Sequence, residues 1–247
     1  MTYETLELKV ENRVARLTLN RPKALNAMDL QMMMELRAFA DDMDAREDVS
    51  VVVMQGAGRA FCAGMDLKWS ESLTKKDRVE SNRIGQKTFN RLAVMEKPLI
   101  AAVHGYVLGG ALELALAADF IVAREDAQLG LPEITLSAHP PYRPKITADG
   151  DPDQPEFGGS APGWGGLTRL PERVGIARAK EMLFTGIRLN AARALEFGLV
   201  NAVWPEAEFE KELAELANRI GAMNLYNLRL VKELVNRRYD LVEGHPS

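Results

Sequence analysis

Residues 99–123 constrain this chain most, because two continuous apolar runs, Leu99–Val103 and Phe120–Ala123, bracket the segment GYVLGGALE (105–113). A short apolar run without alternation marks a strand covered on both faces, as in a parallel sheet. Val51–Met54 repeats the pattern, and GAGRAFCAGMDLK (56–68) follows it as a second turn. Both units read as strand, glycine-containing turn and helix, and parallel strands joined through helices define an α/β chain. Gly109 and Gly110 let the backbone turn where a β-carbon would clash, and the first N–H groups of the following helix have no intrahelical acceptor. Glu113, three residues past Gly110, comes back over the same opening after one helical turn.

The run 105–123 also has the length of a membrane span, but Glu113 and Asp119 lie inside it. Central acidic residues cost about 2.5–3.5 kcal/mol each in a bilayer, so a buried helix and strand are expected and no membrane partner. The start, MTYETLELKVENRV, lacks the basic-then-apolar layout of a signal peptide, which predicts a cytoplasmic protein. One cysteine, Cys62, excludes an internal disulfide and a cysteine-clustered zinc site, fits a reducing compartment, and reads as a small buried apolar residue. Lys plus Arg number 31 against 35 Asp plus Glu, a net charge of −4 that offers no general pull toward nucleic acid. With 247 residues, 47% of them hydrophobic, the chain suits one large domain or a domain with a small appendage.

Alternation at Leu6, Leu8 and Val10, then at Val14, Leu17 and Leu19, predicts an opening β-hairpin. NRPKALNAM (20–28) breaks the strand at Pro22, and Asp29 caps a helix from Leu30 to about Met43 with Met33, Leu36, Phe39 and Ala40 on one face. A helix over about Lys75 to Met95 should turn Ile84, Phe89, Leu92 and Met95 inward, and Pro98 ends it. Further helices are predicted around Ala177–Phe184, Ala191–Phe197, Ala207–Ile220 and Tyr226–Arg237. Residues 138–161 hold five prolines, six charged side chains and no apolar period. Unstructured loops beyond about 12–15 residues tend to be functional or disordered.

Glu113 has only apolar neighbours in Leu112, Leu114, Ala115 and Leu116, so it needs a reason to be buried. Glu133 follows Pro132 among Leu129, Leu131 and Ile134 in the same way. Two partly buried carboxylates can take different protonation states and act as an acid and base pair. The turns at Gly64-Met65 and Gly109-Gly110 can each present a backbone N–H, and two such donors converging make an oxyanion hole. Either glycine pair alone is ordinarily a structural turn. His104, His139 and His245 show no ligand spacing, so no metal centre is expected. No nucleophile elbow, P-loop or dinucleotide fingerprint is present.

NRPKALNAM, AFCAGMDLK, GYVLGGALELALAADFIVA, LGLPEITLS, PGWGGLTRL and LFTGIRLNAARALEFGLVNAV occur in this order. Together they resemble the crotonase (enoyl-CoA hydratase/isomerase) superfamily over about residues 5–235. The resemblance implies an α/β spiral of repeated ββα units over residues 1–190, with a helical C-terminal region over 191–247 that builds a homotrimer or a dimer of trimers. It implies acyl-CoA substrates of the kind met in fatty acid metabolism, with CoA as part of the substrate and no other cofactor. By motif position, the N–H groups of Met65 and Gly110 would hold the thioester oxygen, and Glu113 and Glu133 would be the hydratase acid and base pair. CoA would run along Lys23, Ala24 and Leu25 and along Ala63, Asp66 and Leu67, with Lys68 as a phosphate contact. Lys23 and Lys68 also fit as solvated surface charges.

Two features depart from the family pattern. The 138–161 segment intervenes where only a few residues usually separate the second glutamate from the PGxGG turn, which suggests a lid, a partner contact or an inserted disordered loop. The chain also stops at Ser247, before the helix that in this family generally closes the acyl pocket. The leading expectation is hydration of 2-enoyl-CoA. The alternatives are another crotonase reaction on an acyl-CoA (double-bond isomerisation, decarboxylation or C–C hydrolysis) or a non-catalytic RNA-binding or scaffold relative, against which the −4 charge and both carboxylates weigh.

Overall fold

The computed structural model describes residues 3–138 and 161–243, so all but the two ends of the proline-rich segment lie outside the described residues. The chain opens with β1 (Leu6–Glu11) and β2 (Val14–Leu19), paired antiparallel. Asn12 and Arg13 between them both take positive φ, 49° and 65°, the twist a two-residue hairpin turn requires. Helix α1 (Leu30–Ala45) follows, capped by Asp29, whose carboxylate accepts from Met32 N at 3.0 Å. It runs two residues past the predicted end. β3 (Val51–Gly56) then lies parallel to β2.

The turn after β3 leads into a short helix, α2 (Leu67–Ser72), and then α3 (Lys75–Ala93), which starts on a reciprocal capping box between Thr74 and Asp77. β4 (Leu99–Val103) returns to the sheet beside β3, and β5 (Tyr106–Leu108) leaves it at once for a second, smaller sheet. α4 (Gly110–Ala115) carries the chain back to β6 (Phe120–Arg124), parallel to β4, and β7 (Gln128–Gly130) again enters the small sheet beside β5. A 3-10 turn covers Glu133–Ala138. After the undescribed segment come α5 (Gly166–Val174), α6 (Ile176–Thr185), β8 (Leu189–Asn190), α7 (Ala191–Glu196), β9 (Ala202–Trp204), α8 (Glu206–Gly221) and α9 (Leu225–Glu243).

The large sheet has the order β1-β2-β3-β4-β6-β9 and is parallel except for the hairpin; the small one is β5-β7-β8. Alternate residues of the central strands serve two cores, which is why their apolar runs are unbroken. Val52, Met54, Leu99 and Ala101 pack with Leu36, Phe39, Phe89 and Leu92 of α1 and α3. Val51, Val53, Ile100 and Val122 pack on the other face against Phe209, Leu213 and Ala217 of α8. The recurring passage from large sheet to small sheet to helix is the ββα unit of the expected spiral. The edge strand β9 is drawn from beyond residue 190. Among the described residues, no helix is long and apolar enough to cross a membrane.

Candidate active site

Two turns are brought together by a third segment that neither resembles. The NRPKALNAM stretch folds as a 3-10 turn (Pro22–Ala24), and Leu25 and Asn26 then adopt left-handed φ of 52° and 56°. That conformation is unfavourable for a leucine, and the side chain of Asn26 offsets it. Fully buried, its Nδ2 donates to the carbonyls of Ala57 and Ala60 at 2.8 Å each and of Phe61 at 3.2 Å, while its Oδ1 accepts from Arg21 N. The 57–66 turn is thereby fixed to the 20–28 segment. Ala63 N bonds to Leu25 O, and Met28 takes Gly64 O with its N–H and Asp66 N–H with its carbonyl. Because the residues on either side of it make those bonds, the N–H of Met65 points the other way.

Gly64, at φ +100°, sets this turn against the next: a β-carbon there would fall 2.6 Å from Leu108 O and 3.6 Å from Gly110 N. Gly110 is the first residue of α4, where an N–H has no intrahelical partner. Among the described residues, neither Met65 N nor Gly110 N donates to another main-chain group. The turn that carries Met65 is thus packed against the turn that carries Gly110.

Glu113 is almost fully buried, and its Oε1 accepts from Trp164 N at 2.7 Å and from Gly166 N at 2.8 Å. Burial raises its pKa, while those two bonds and the guanidinium of Arg169 pull the other way. Arg169 is held in turn by the Trp164 carbonyl at 3.2 Å and by Asn90 of α3. The PGWGG turn is thus a clamp for one carboxylate. Gly166 is required for it, because a β-carbon would come within 3.0 Å of Glu113 Oε1.

Glu133 begins the 3-10 turn after β7, and Gly109 N–H, bonded to Gly130 O, ties that region to the start of α4. Its Oε1 lies 3.3 Å from where a β-carbon of Gly109 would stand, and its Oε2 is buried without a partner. Burial pushes this carboxyl up to about 7, and the charge of Glu113 adds to the rise. Both glutamates thus lie at the start of α4: Glu133 reaches the Gly109 that precedes it, and Glu113 stands in its first turn.

The residues predicted to hold CoA lie on the two segments joined by the Ala63–Leu25 and Asp66–Met28 bonds. Lys23, Leu67 and Lys68 are exposed, while Ala24, Leu25 and Ala63 are partly covered. Asp66 is otherwise engaged: its carboxylate caps α2 through Lys68 N and Trp69 N and pairs with Arg21 at 3.0 Å. Cys62 lies buried beneath the first turn, its thiol pushed up to about 12 by burial, in keeping with a small core residue. Asn26, Arg21, Trp164 and Arg169 are not marked as site residues by the sequence, although all four lie within the motifs NRPKALNAM and PGWGGLTRL. Among the described residues no three His, Cys, Asp or Glu side chains cluster as a metal site.

An α/β spiral with one buried and one half-buried glutamate beside two glycine turns is the setting of an acyl-thioester enzyme class. A model of the enoyl-CoA hydratase/isomerase family matches residues 9–146 and 154–245. The chain belongs to that family, within the crotonase superfamily. It is 36% identical over 246 residues to a Mycobacterium tuberculosis protein named "Probable enoyl-CoA hydratase", covering 99% of this chain and 86% of the relative. It is 35% identical over 237 residues to the crotonyl-CoA hydratase of Syntrophomonas wolfei, covering 96% and 83%. The crystal structure of an enoyl-CoA hydratase from Bacillus anthracis superposes with a TM-score of 0.83 at 32% identity, covering 94% of this chain and 83% of that one.

Proposed function

We propose that the protein hydrates 2-enoyl-CoA thioesters to 3-hydroxyacyl-CoA. The observation that carries this reading is the presence of two differently held carboxyl groups, Glu113 and Glu133, near the N–H groups of Met65 and Gly110, which make no main-chain bond among the described residues. The thioester oxygen sits on the two N–H groups, which stabilise the negative charge that develops as the enolate forms. Both bonds to Glu113 fall on Oε1, so its other oxygen can accept from a water. Glu113 takes a proton from that water as its oxygen adds to the β-carbon, and protonated Glu133 gives its proton to the α-carbon. Proton exchange with solvent resets the pair, and the addition balances with no further cofactor. The CoA portion lies along the rim from Lys23 to Leu25 and Ala63 to Lys68, and the name of the Syntrophomonas relative supports crotonyl-CoA as a substrate.

The same reading makes the protein a cytoplasmic homotrimer or dimer of trimers. The exposed apolar side chains Tyr226, Val231, Leu234 and Val235 of α9 support a protein partner there, and light scattering measures the mass. Crotonyl-CoA incubated with the parent chain should lose its conjugated enoyl absorbance. Glu113→Gln and Glu133→Gln should each slow that loss by roughly 10²–10⁴-fold. Hydration unaffected by both substitutions excludes this mechanism. Acyl-CoA binding without hydration of any enoyl-CoA points instead to isomerisation or another reaction of the same oxyanion site.

A further inference from the structure

Trp164 stands in a slot made by glycines on two different helices. The five-membered edge of its indole lies on Gly85 of α3, where a β-carbon would fall 2.5 Å from Cδ1 and 2.6 Å from Nε1. The six-membered edge lies on Gly110 of α4, where a β-carbon would fall 2.6 Å from Cε3. Phe89, one turn beyond Gly85, meets the same ring edge-on with centroids 5.6 Å apart. The residue is only 3% exposed, yet its Nε1 is buried with no hydrogen-bond partner among the described residues. A buried tryptophan ordinarily finds a partner for that N–H, and glycine inside a helix is unfavourable. Stability alone therefore does not account for the ring. What it does is fill the gap between α3 and the start of α4.

We propose that Trp164 is a specificity-determining residue that limits acyl-chain length, and that Gly85 is what allows the ring to stand there. This rests on the acyl-thioester reading above. With the thioester oxygen on Gly110 N–H and the β-carbon at Glu113, the reacting atoms border Trp164 at both edges of its reach: its ring packs on Gly110 and its backbone N–H bonds Glu113. Carbons beyond the β-position meet the indole, which spans from Gly110 to Gly85 and closes the way between the helices. The substrate class is short-chain 2-enoyl-CoA.

Binding of butyryl-CoA and octanoyl-CoA to the full chain, followed by calorimetry, tests this without requiring turnover, because neither saturated thioester can be hydrated. The parent chain should bind butyryl-CoA more tightly. Trp164→Leu should raise the octanoyl-to-butyryl affinity ratio by roughly tenfold or more. Trp164→Phe, which keeps an aromatic ring on Phe89, should move the ratio the same way by less. Gly85→Ala, by pushing the ring toward Gly110, should weaken butyryl-CoA binding. An unchanged ratio in both tryptophan variants, with butyryl-CoA binding and circular dichroism retained, overturns the length limit, and full butyryl-CoA affinity in Gly85→Ala overturns the role of that glycine. No binding of either thioester by the parent overturns the acyl-CoA reading itself.

Discussion

Glu113 and Glu133 bring the same carboxyl group into two contrasting surroundings. The first stands on α4 and accepts two N–H bonds from a turn about fifty residues away, and the half-buried Arg169 backs that turn. The second starts a 3-10 turn, touches Gly109 and leaves one oxygen buried without a partner. Burial raises the pKa of both, but hydrogen bonds hold Glu113 back, whereas Glu133 rises to about 7. Hydrogen-bond supply, rather than residue type, therefore separates the two: the N–H bonds from Trp164 and Gly166 favour the Glu113 anion, while burial and the charge of Glu113 favour the protonated form of Glu133.

The largest effects expected are those of the two Gln substitutions, roughly 10²–10⁴-fold each. Parent-like hydration in either one would break the division into two roles. Next comes Gly64→Ala, in which the new methyl group meets Leu108 O and pushes on the turn bearing Gly110. It should cost about 10²-fold in kcat with crotonyl-CoA, and a smaller loss than either Gln variant would show that the carboxylates outweigh the main-chain donors.

Stability against pH sharpens the contrast further. A carboxyl group raised from an ordinary value near 4.5 to about 7 stabilises the fold fully below pH 4.5, and that contribution is lost as pH rises through 7. Glu133→Gln removes the loss, so urea unfolding at pH 8 should show the variant more stable than the parent by on the order of 1–3 kcal/mol, with the difference vanishing near pH 4. Glu113→Gln should gain less, because it gives up two charge-assisted bonds. The smallest effects belong to the rim. Lys23→Ala and Lys68→Ala should raise KM by no more than about tenfold, and less at high salt, since exposed charges contribute roughly 0–1 kcal/mol.

Much of this arrangement is legible in the chain itself. The unbroken runs at Val51–Met54 and Leu99–Val103 announce strands covered on both faces, and the 3.6-residue period of α1 and α3 places Phe39 and Phe89 in the core. The small sheet is not legible, because β5, β7 and β8 are three, three and two residues long. No period can be read from so few positions. The six-residue α2 with an exposed Leu67 hides for the same reason. At the site, the two glutamates and two glycine turns were visible as local patterns. Asn26 and Trp164 were not, because each acts through contacts thirty or more residues away, and neither side chain differs in its local sequence from one facing water.

The two donors that face the opening come from main chain, and this bears on how such a site is inherited. At position 65 the N–H is oriented by the bonds of residues 64 and 66 to Met28 and asks nothing of its own side chain. Any residue except proline can supply it, and the place of the Met65 side chain against the core narrows the choice only to apolar residues that fit there. At position 110 the indole of Trp164 occupies the space a side chain would need. Two atoms of equal chemical standing thus differ in genetic freedom: a library randomised at both codons and selected for activity should return several apolar residues at 65 and only glycine at 110.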